Sequence, residues 1–166
     1  MSELRTRIAE PRDAEAIAAI YNQGIEERGA TFQTKLHDPG ELELKVEQRG
    51  GQLLIADVGG TVVGWAGWTG YDDPAEHYAG VGECAVYVTR DARRGGVAAA
   101  LLAGLAEEAP KAGLHKFVAK IFSSNQASID LFRRAGYREV GVHRRHGRLE
   151  GEWRDVVLME LLLGDA

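Results

Sequence analysis

Apolar residues recur along this chain in two rhythms, one helical and one alternating, and the switches between them divide it into elements. Residues 6–9 form a short strand candidate that stops at Glu10-Pro11, after which Ala14, Ile17, Ala18, Tyr21 and Ile25 return at helical spacing. Residues 28–32 have turn composition. Asp38-Pro39-Gly40 opens a second helix over about residues 41–49, whose polarity predicts a surface position. Two β-branched-rich runs, 52–58 and 61–69, flank Gly59-Gly60, the signature of a two-residue hairpin turn. Turn-like residues 70–76 lead to a Val-rich strand at 79–89 with Glu83 inside it. From 96 to about 111, Ala98, Leu101, Leu102, Leu105 and Ala109 share one helical face, and Gly113 stands ready to end the helix. A strand at 116–122, a helix at 125–135 stopped by Gly136, and strands at 137–145 and 152–163 around residues 146–151 complete the series. Helices alternate with strands without repeats or low complexity, which predicts one α/β domain over 1–166, a mixed sheet with helices on both faces.

Composition narrows the partners. A chain of 166 residues, 45% hydrophobic and 27% charged, has the balance of a globular domain able to bury its own core. Its formal net charge of -5 argues against binding phosphate backbones, which draws on excess Lys and Arg, so no nucleic-acid partner is expected. The single Cys84 rules out an internal disulfide framework and a multi-cysteine metal site, and fits a reducing, cytoplasmic setting. The first seven residues lack the apolar core of a secretory signal, and no apolar run approaches the ~18 residues of a membrane span, so neither export nor a membrane is indicated.

Two stretches carry chemistry. In Arg93-Arg94-Gly95-Gly96-Val97-Ala98-Ala99 the glycines allow close backbone approach to a ligand, and the unpaired amides of the following helix start, with the dipole behind them, suit a pyrophosphate. Arg93 and Arg94 add charge. A solvated loop before a helix is the plain alternative. The pattern is neither GxGxxG nor GxxxxGK[ST], so NAD and ATP are disfavoured. The second stretch is Asn125-Gln-Ala-Ser128, continuing to Leu131-Phe132 and Gly136-Tyr137 after a Ser123-Ser124 turn.

Together these two stretches resemble the acyl-CoA loop and following strand–helix of the GNAT superfamily of N-acetyltransferases. Arg93, Gly96 and Ala98 stand at the three positions of its Arg/Gln-x-x-Gly-x-Gly/Ala pattern. The likeness narrows toward phosphinothricin- and arsinothricin-type acetyltransferases through Ile20-Tyr21-Asn22 with Ile25, Ala30-Thr31-Phe32, Glu83-Cys84-Ala85-Val86-Tyr87-Val88, Asn125 with Ser128, and His146-Gly147 with Gly151, Trp153, Asp155 and Val156. The resemblance implies a GNAT fold, a mostly antiparallel sheet splayed at a central V. Acetyl-CoA would lie along Val86, Tyr87 and Val88, with its diphosphate on residues 93–99 and contacts from Asn125 and Ser128. A small-molecule amine acceptor, an amino acid or an analogue, would meet Ile25, Thr31, Phe32, His146 and Trp153. A homodimer is also implied.

Acetyl transfer to an amine needs the neutral amine, hence a base. Glu83, a carboxylate inside an apolar strand, is the candidate, and the resemblance assigns it the same role; a solvent-facing or ion-paired Glu is the ordinary alternative. The Val88 amide is the candidate oxyanion donor. Many relatives carry a Tyr acid where this chain has Phe132, which cannot donate a proton and reads as core, so Tyr87, Ser128 or water would have to serve. Asn125 also suits a helix N-cap, and Cys84 reads as packing. Relatives commonly place an arginine a few residues before the base, suited to an acidic acceptor; residues 72–78 hold none, leaving His77, Arg28 or the His143–His146 cluster as substitutes. No metal is expected at His143 and His146, which lack a partnering carboxylate or Cys set. The rival readings are an acetyltransferase of protein N-termini or polyamines, and a non-catalytic acyl-CoA-binding module.

Overall fold

Alternating and helical apolar periods become seven strands and four α-helices in the computed structural model, which describes residues 3–49, 52–71 and 76–164. The order along the chain is β1 (Leu4–Ile8), α1 (Ala14–Glu27), α2 (Pro39–Arg49), β2 (Leu53–Val58), β3 (Thr61–Gly70), β4 (Val81–Val88), α3 (Val97–Glu108), β5 (Lys116–Phe122), α4 (Gln126–Arg134), β6 (Arg138–Leu149) and β7 (Glu152–Leu162). Among the described residues the strands form one sheet in the order β1-β2-β3-β4-β5-β7-β6. Every neighbouring pair is antiparallel except β4–β5.

Strand alternation sends successive side chains to opposite faces, and each face has its own core. Leu53, Ile55 and Trp65 pack with Ile17, Ala18 and Ile20 of α1 and Leu42 and Val46 of α2. Leu54, Ala56, Ala66, Trp68 and Cys84 pack with Leu101, Leu102 and Leu105 of α3 and Ile129 and Phe132 of α4. Helices therefore cover both faces, as the pattern predicts. The β2–β3 turn has φ of 62° at Gly59 and 88° at Gly60, the doubly positive geometry that a two-residue hairpin requires.

Local differences from the expected elements have identifiable causes. The second helix starts at Pro39, suited to a first helical turn because it lacks an N–H, and Leu42 and Val46 bury its inner side. The long helix ends at Glu108 and continues as a 3-10 turn over Ala109–Ala112 around Pro110. Residues 146–149, expected in a turn, belong to β6: the turn is only Glu150-Gly151, both at positive φ, and a register shift between His143 and Gly147 bends the strand.

The sheet is incomplete at its centre. β4 and β5 pair only through Val81–Lys116, Gly82–Phe117 and Glu83–Val118, although β4 runs on to Val88 and β5 to Phe122. Thr89 N donates to Val63 O at 2.8 Å and Tyr71 N to Val81 O at 3.1 Å, so the odd-numbered positions of β4 direct their backbone groups to β3. The backbone groups of Val86 and Val88 consequently turn toward β5, beyond the last ladder pair. This is the expected V.

Candidate active site

Glu83 lies at the point where the two strands part. On β4 it shares a face with Ala85 and Tyr87, and its partner across the ladder is Val118, so Lys120, two residues further along β5, is its diagonal neighbour. Lys120 Nζ is 3.4 Å from Glu83 Oε2, and the two side chains keep 43% and 33% of their surface exposed. Both line a cavity of about 560 Å³ between the sheet and the segment joining α1 to α2. The cavity wall includes Tyr21, Thr31, Phe32, His37, Lys45, Trp65, Tyr87 and His146.

Aromatic rings give this cavity its shape. Tyr87 stacks on Tyr21 at 4.8 Å and on Trp65 at 5.1 Å between centroids, and His37 lies 4.3 Å from Tyr21. Burial holds the His37 imidazole below its usual pKa, with Lys45 adding to the effect. Burial pushes the Tyr87 hydroxyl well above the usual phenol range, although a hydrogen bond with Thr31 opposes this, so the group stays protonated and is a poor acid. The Trp65 indole N–H is buried without a hydrogen-bond partner among the described residues. Asn22 clamps His37 from both sides, its Oδ1 accepting from His37 N at 2.8 Å and its Nδ2 donating to His37 O at 3.1 Å.

Phe32 closes one end, edge-on to Phe122 at 4.7 Å and lying against Gly147, where an added Cβ would stand 2.6 Å from its Cζ. A Gly147→Ala variant therefore displaces the Phe32 ring, which lines the cavity. We expect roughly a tenfold rise in acceptor KM with little change in melting temperature, measured by steady-state kinetics and thermal unfolding. The β6 register shift brings His146 to the cavity, with His143 stacked on it at 4.2 Å and Arg145 N donating to Asp155 Oδ1 at 2.8 Å.

Two residues expected at the acceptor lie elsewhere. Ile25 is 0% exposed because its helical spacing from Ile17 and Ala18 puts it on the buried stripe of α1. Trp153 is 50% exposed and sits under the Arg148 guanidinium, 4.2 Å from its ring centroid, across the hairpin and outside the cavity lining. Of the three arginine substitutes, His146 reaches the cavity, whereas Arg28 is committed and His77 is remote. Arg28 is paired with Glu150 and donates to Ile25 O at 2.6 Å, while His77 is exposed and does not line the cavity. Residues 72–75 lie outside the described residues.

A second, smaller pocket in the gap between β4 and β5 shares Ala85, Tyr87, Lys120 and Phe122 with this cavity and is also lined by Val86, Ala119, Ile121, Asn125, Ser128 and Phe132. Asn125 is the N-cap of α4, its Oδ1 accepting from Ser128 N at 3.2 Å, and its Nδ2 reaches Gly29 O at 3.3 Å. Phe132 is buried against Tyr137. Cys84 is buried within 3.2 Å of the Tyr137 hydroxyl, and burial pushes its thiol up to about 12, which keeps it protonated and unreactive. At the far end of the gap, exposed Arg94 and Gly95 precede Gly96, the N-cap of α3, with φ of 82°; Val97, Ala98 and Ala99 form its first turn. Arg93 is less free than expected: it binds both carboxylate oxygens of Glu27 at 2.8 and 2.7 Å, and its Nε donates to Val88 O at 3.2 Å. That guanidinium holds the Glu27 carboxyl below its usual range.

A sheet opened between parallel β4 and β5, with a helix start at one end of the gap and a carboxylate at the other, suits an extended thioester ligand. The sequence profile described as the acetyltransferase (GNAT) family matches residues 17–137. The chain belongs to the GNAT acetyltransferase family. Among the relatives of this GNAT chain, the L-methionine sulfoximine/L-methionine sulfone acetyltransferase of Pseudomonas aeruginosa is 35% identical, covering 91% of this chain and 90% of its own length. The phosphinothricin N-acetyltransferase of Streptomyces coelicolor is 31% identical, covering 96% of each chain. The solved structure of yncA from Salmonella typhimurium, with its cofactor acetyl-CoA, superposes with a TM-score of 0.92 at 28% identity, over 99% of this chain and 96% of its own.

Lys120, Lys45 and His37 are cavity residues that sequence reasoning did not single out. Lys120 carried the same signal as Glu83, a charge within an apolar strand.

Proposed function

We propose that this protein, working as one domain, transfers the acetyl group of acetyl-CoA to the primary amine of a small amino acid or close analogue, by direct attack with Glu83 as general base. The observation that carries this reading is the position of Glu83, on the wall of a cavity that shares Ala85, Tyr87, Lys120 and Phe122 with the lining of the β4–β5 gap. Acetyl-CoA supplies an activated acyl group, and the residues that line the gap fit it. Val86 and Val88 turn backbone groups toward the gap, Asn125 and Ser128 stand opposite, and the amides of residues 95–98 suit its diphosphate.

Glu83 accepts the proton that the ammonium form of the acceptor must lose, and a carboxylate open to the cavity can receive it through one hydrogen bond or one water. The Val88 amide donates toward the oxygen that gains charge. The Tyr21–Trp65–Tyr87 stack and Phe32 enclose the acceptor's carbon skeleton and exclude water. The 35% and 31% identical relatives, named for acetylating methionine sulfoximine and phosphinothricin, support an amino-acid acceptor.

A cytoplasmic homodimer belongs to the same proposal. The buried, protonated Cys84 suits a reducing compartment, and exposed Val140, Val142 and Leu162 on β6 and β7 suit contact with a second copy. Among the described residues no helix is long and apolar enough to cross a membrane.

Thiol release from acetyl-CoA, measured against free amino acids, polyamines and N-terminal peptides, tests the reaction. Amine-dependent release is expected with one or more free amino acids. Release only with peptides or polyamines would transfer the reading to those acceptors, and tight CoA binding without release to any amine would make the chain an acyl-CoA-binding module.

A further inference from the structure

The cavity holds a fixed pair of opposite charges whose spacing matches a particular kind of acceptor. We infer that Lys120 binds the acceptor's α-carboxylate beside Glu83, restricting the reaction to free α-amino acids; this rests on the proposed acetyl transfer and deepens it. In an α-amino acid the amine and the carboxylate are separated by a single carbon. If Glu83 receives the amine, the carboxylate must find its cation within a few ångströms. Lys120 Nζ, 3.4 Å from Glu83 Oε2, meets that condition.

The register explains why the pair is reliable. Glu83 opposes Val118 in the last ladder pair of β4 and β5, and Lys120 follows on the same face of β5. Two strands therefore position the charges, not a loop. Neither side chain is sealed: 43% of Lys120 and 33% of Glu83 remain exposed, so a zwitterion can insert between them, exchanging one ion pair for two. Other cations answer the need less well. Lys45 lines the same cavity but is carried by α2 and not by a strand of the sheet. Arg154 belongs to β7, with its guanidinium carbon 5.7 Å from the Phe122 ring centroid, and does not line the cavity. Lys120 also lines the β4–β5 gap, so it stands where acceptor and acyl group must meet.

An acceptor lacking the carboxylate would leave Lys120 facing Glu83 alone, and it would lose one charge-assisted hydrogen bond. The test compares kcat/KM for the best free amino acid with that for its carboxamide. Wild type should prefer the acid about 10- to 100-fold. Lys120→Met should abolish most of that ratio, chiefly through KM for the acid, and Lys120→Arg should retain it. Any influence of Lys120 on Glu83 itself acts on both substrates and cancels in the ratio. Thermal unfolding reports that the variants are folded.

A wild type that acetylates acid and amide equally overturns the assignment without recourse to any variant. A Lys120→Met protein slowed equally on both, with the ratio intact, also overturns it, because Lys120 then serves only Glu83. Failure of the underlying reaction reads differently: wild type binds CoA and releases no thiol with any amine, and the inference falls with it.

Discussion

Glu83→Gln is expected to lower kcat by about 10²- to 10⁴-fold while leaving the CoA dissociation constant within about twofold. Glutamine keeps the size of the side chain and can still bond Lys120, but it cannot accept a proton from the acceptor's ammonium group. Glu83 lines the acceptor cavity and is absent from the lining of the gap, so the cofactor should not register the change. Stopped thiol assays give the rate and calorimetry gives the affinity. A kcat within tenfold of wild type would remove Glu83 from the role of base. A parallel loss of CoA binding would point to damage to the strand instead.

Asp13→Ala should cost about 3 kcal/mol of folding stability without touching the site. Asp13 is 5% exposed, receives Arg7 Nη1 at 2.7 Å and Nη2 at 2.9 Å, and accepts from Glu10 N at 2.8 Å. Alanine leaves that amide and guanidinium without their partner, joining β1 to the start of α1 less firmly. Burial alone would push the Asp13 carboxyl up, yet the bonds from Arg7 and Glu10 outweigh it and hold the group below its ordinary range. A carboxyl depressed in the folded state stabilises the fold above the unfolded pKa. That contribution is lost as pH falls from about 5 toward the folded value. Wild type should therefore lose stability more steeply than Asp13→Asn across that acid window, as read by urea midpoints at successive pH values. Equal slopes would show that the carboxyl does not supply the linkage.

Much of the architecture was legible because local and global signals agree. The Gly59-Gly60 turn, the apolar stripe of α3 and the Asn125 cap each rest on chemistry confined to a few residues. The splay of β4 from β5 is different. Nothing in the alternation of residues 81–88 marks where ladder pairing stops, and that part of the fold entered only through resemblance. Among site residues, Glu83 was readable as a charge inside an apolar strand. Lys120 gives the same signal, but a weaker one, since a lysine stem can lie along apolar surface while its ammonium reaches water. The resemblance implies Ile25 at the acceptor, whereas its own periodicity puts it on the buried face of α1. Trp153 lies outside the cavity lining, exposed near the hairpin tip across from Arg148. His146 reaches the cavity through a strand irregularity that residue types alone do not reveal.

The parting of β4 and β5 makes a slit through an otherwise continuous sheet, and the acceptor cavity and the gap meet along it. The proposed acceptor and cofactor can thus occupy the protein at once, on linings that share Ala85, Tyr87, Lys120 and Phe122. The acyl group has no need to rest on the protein between the two, and buried Cys84 is left as filling in the wall of the slit.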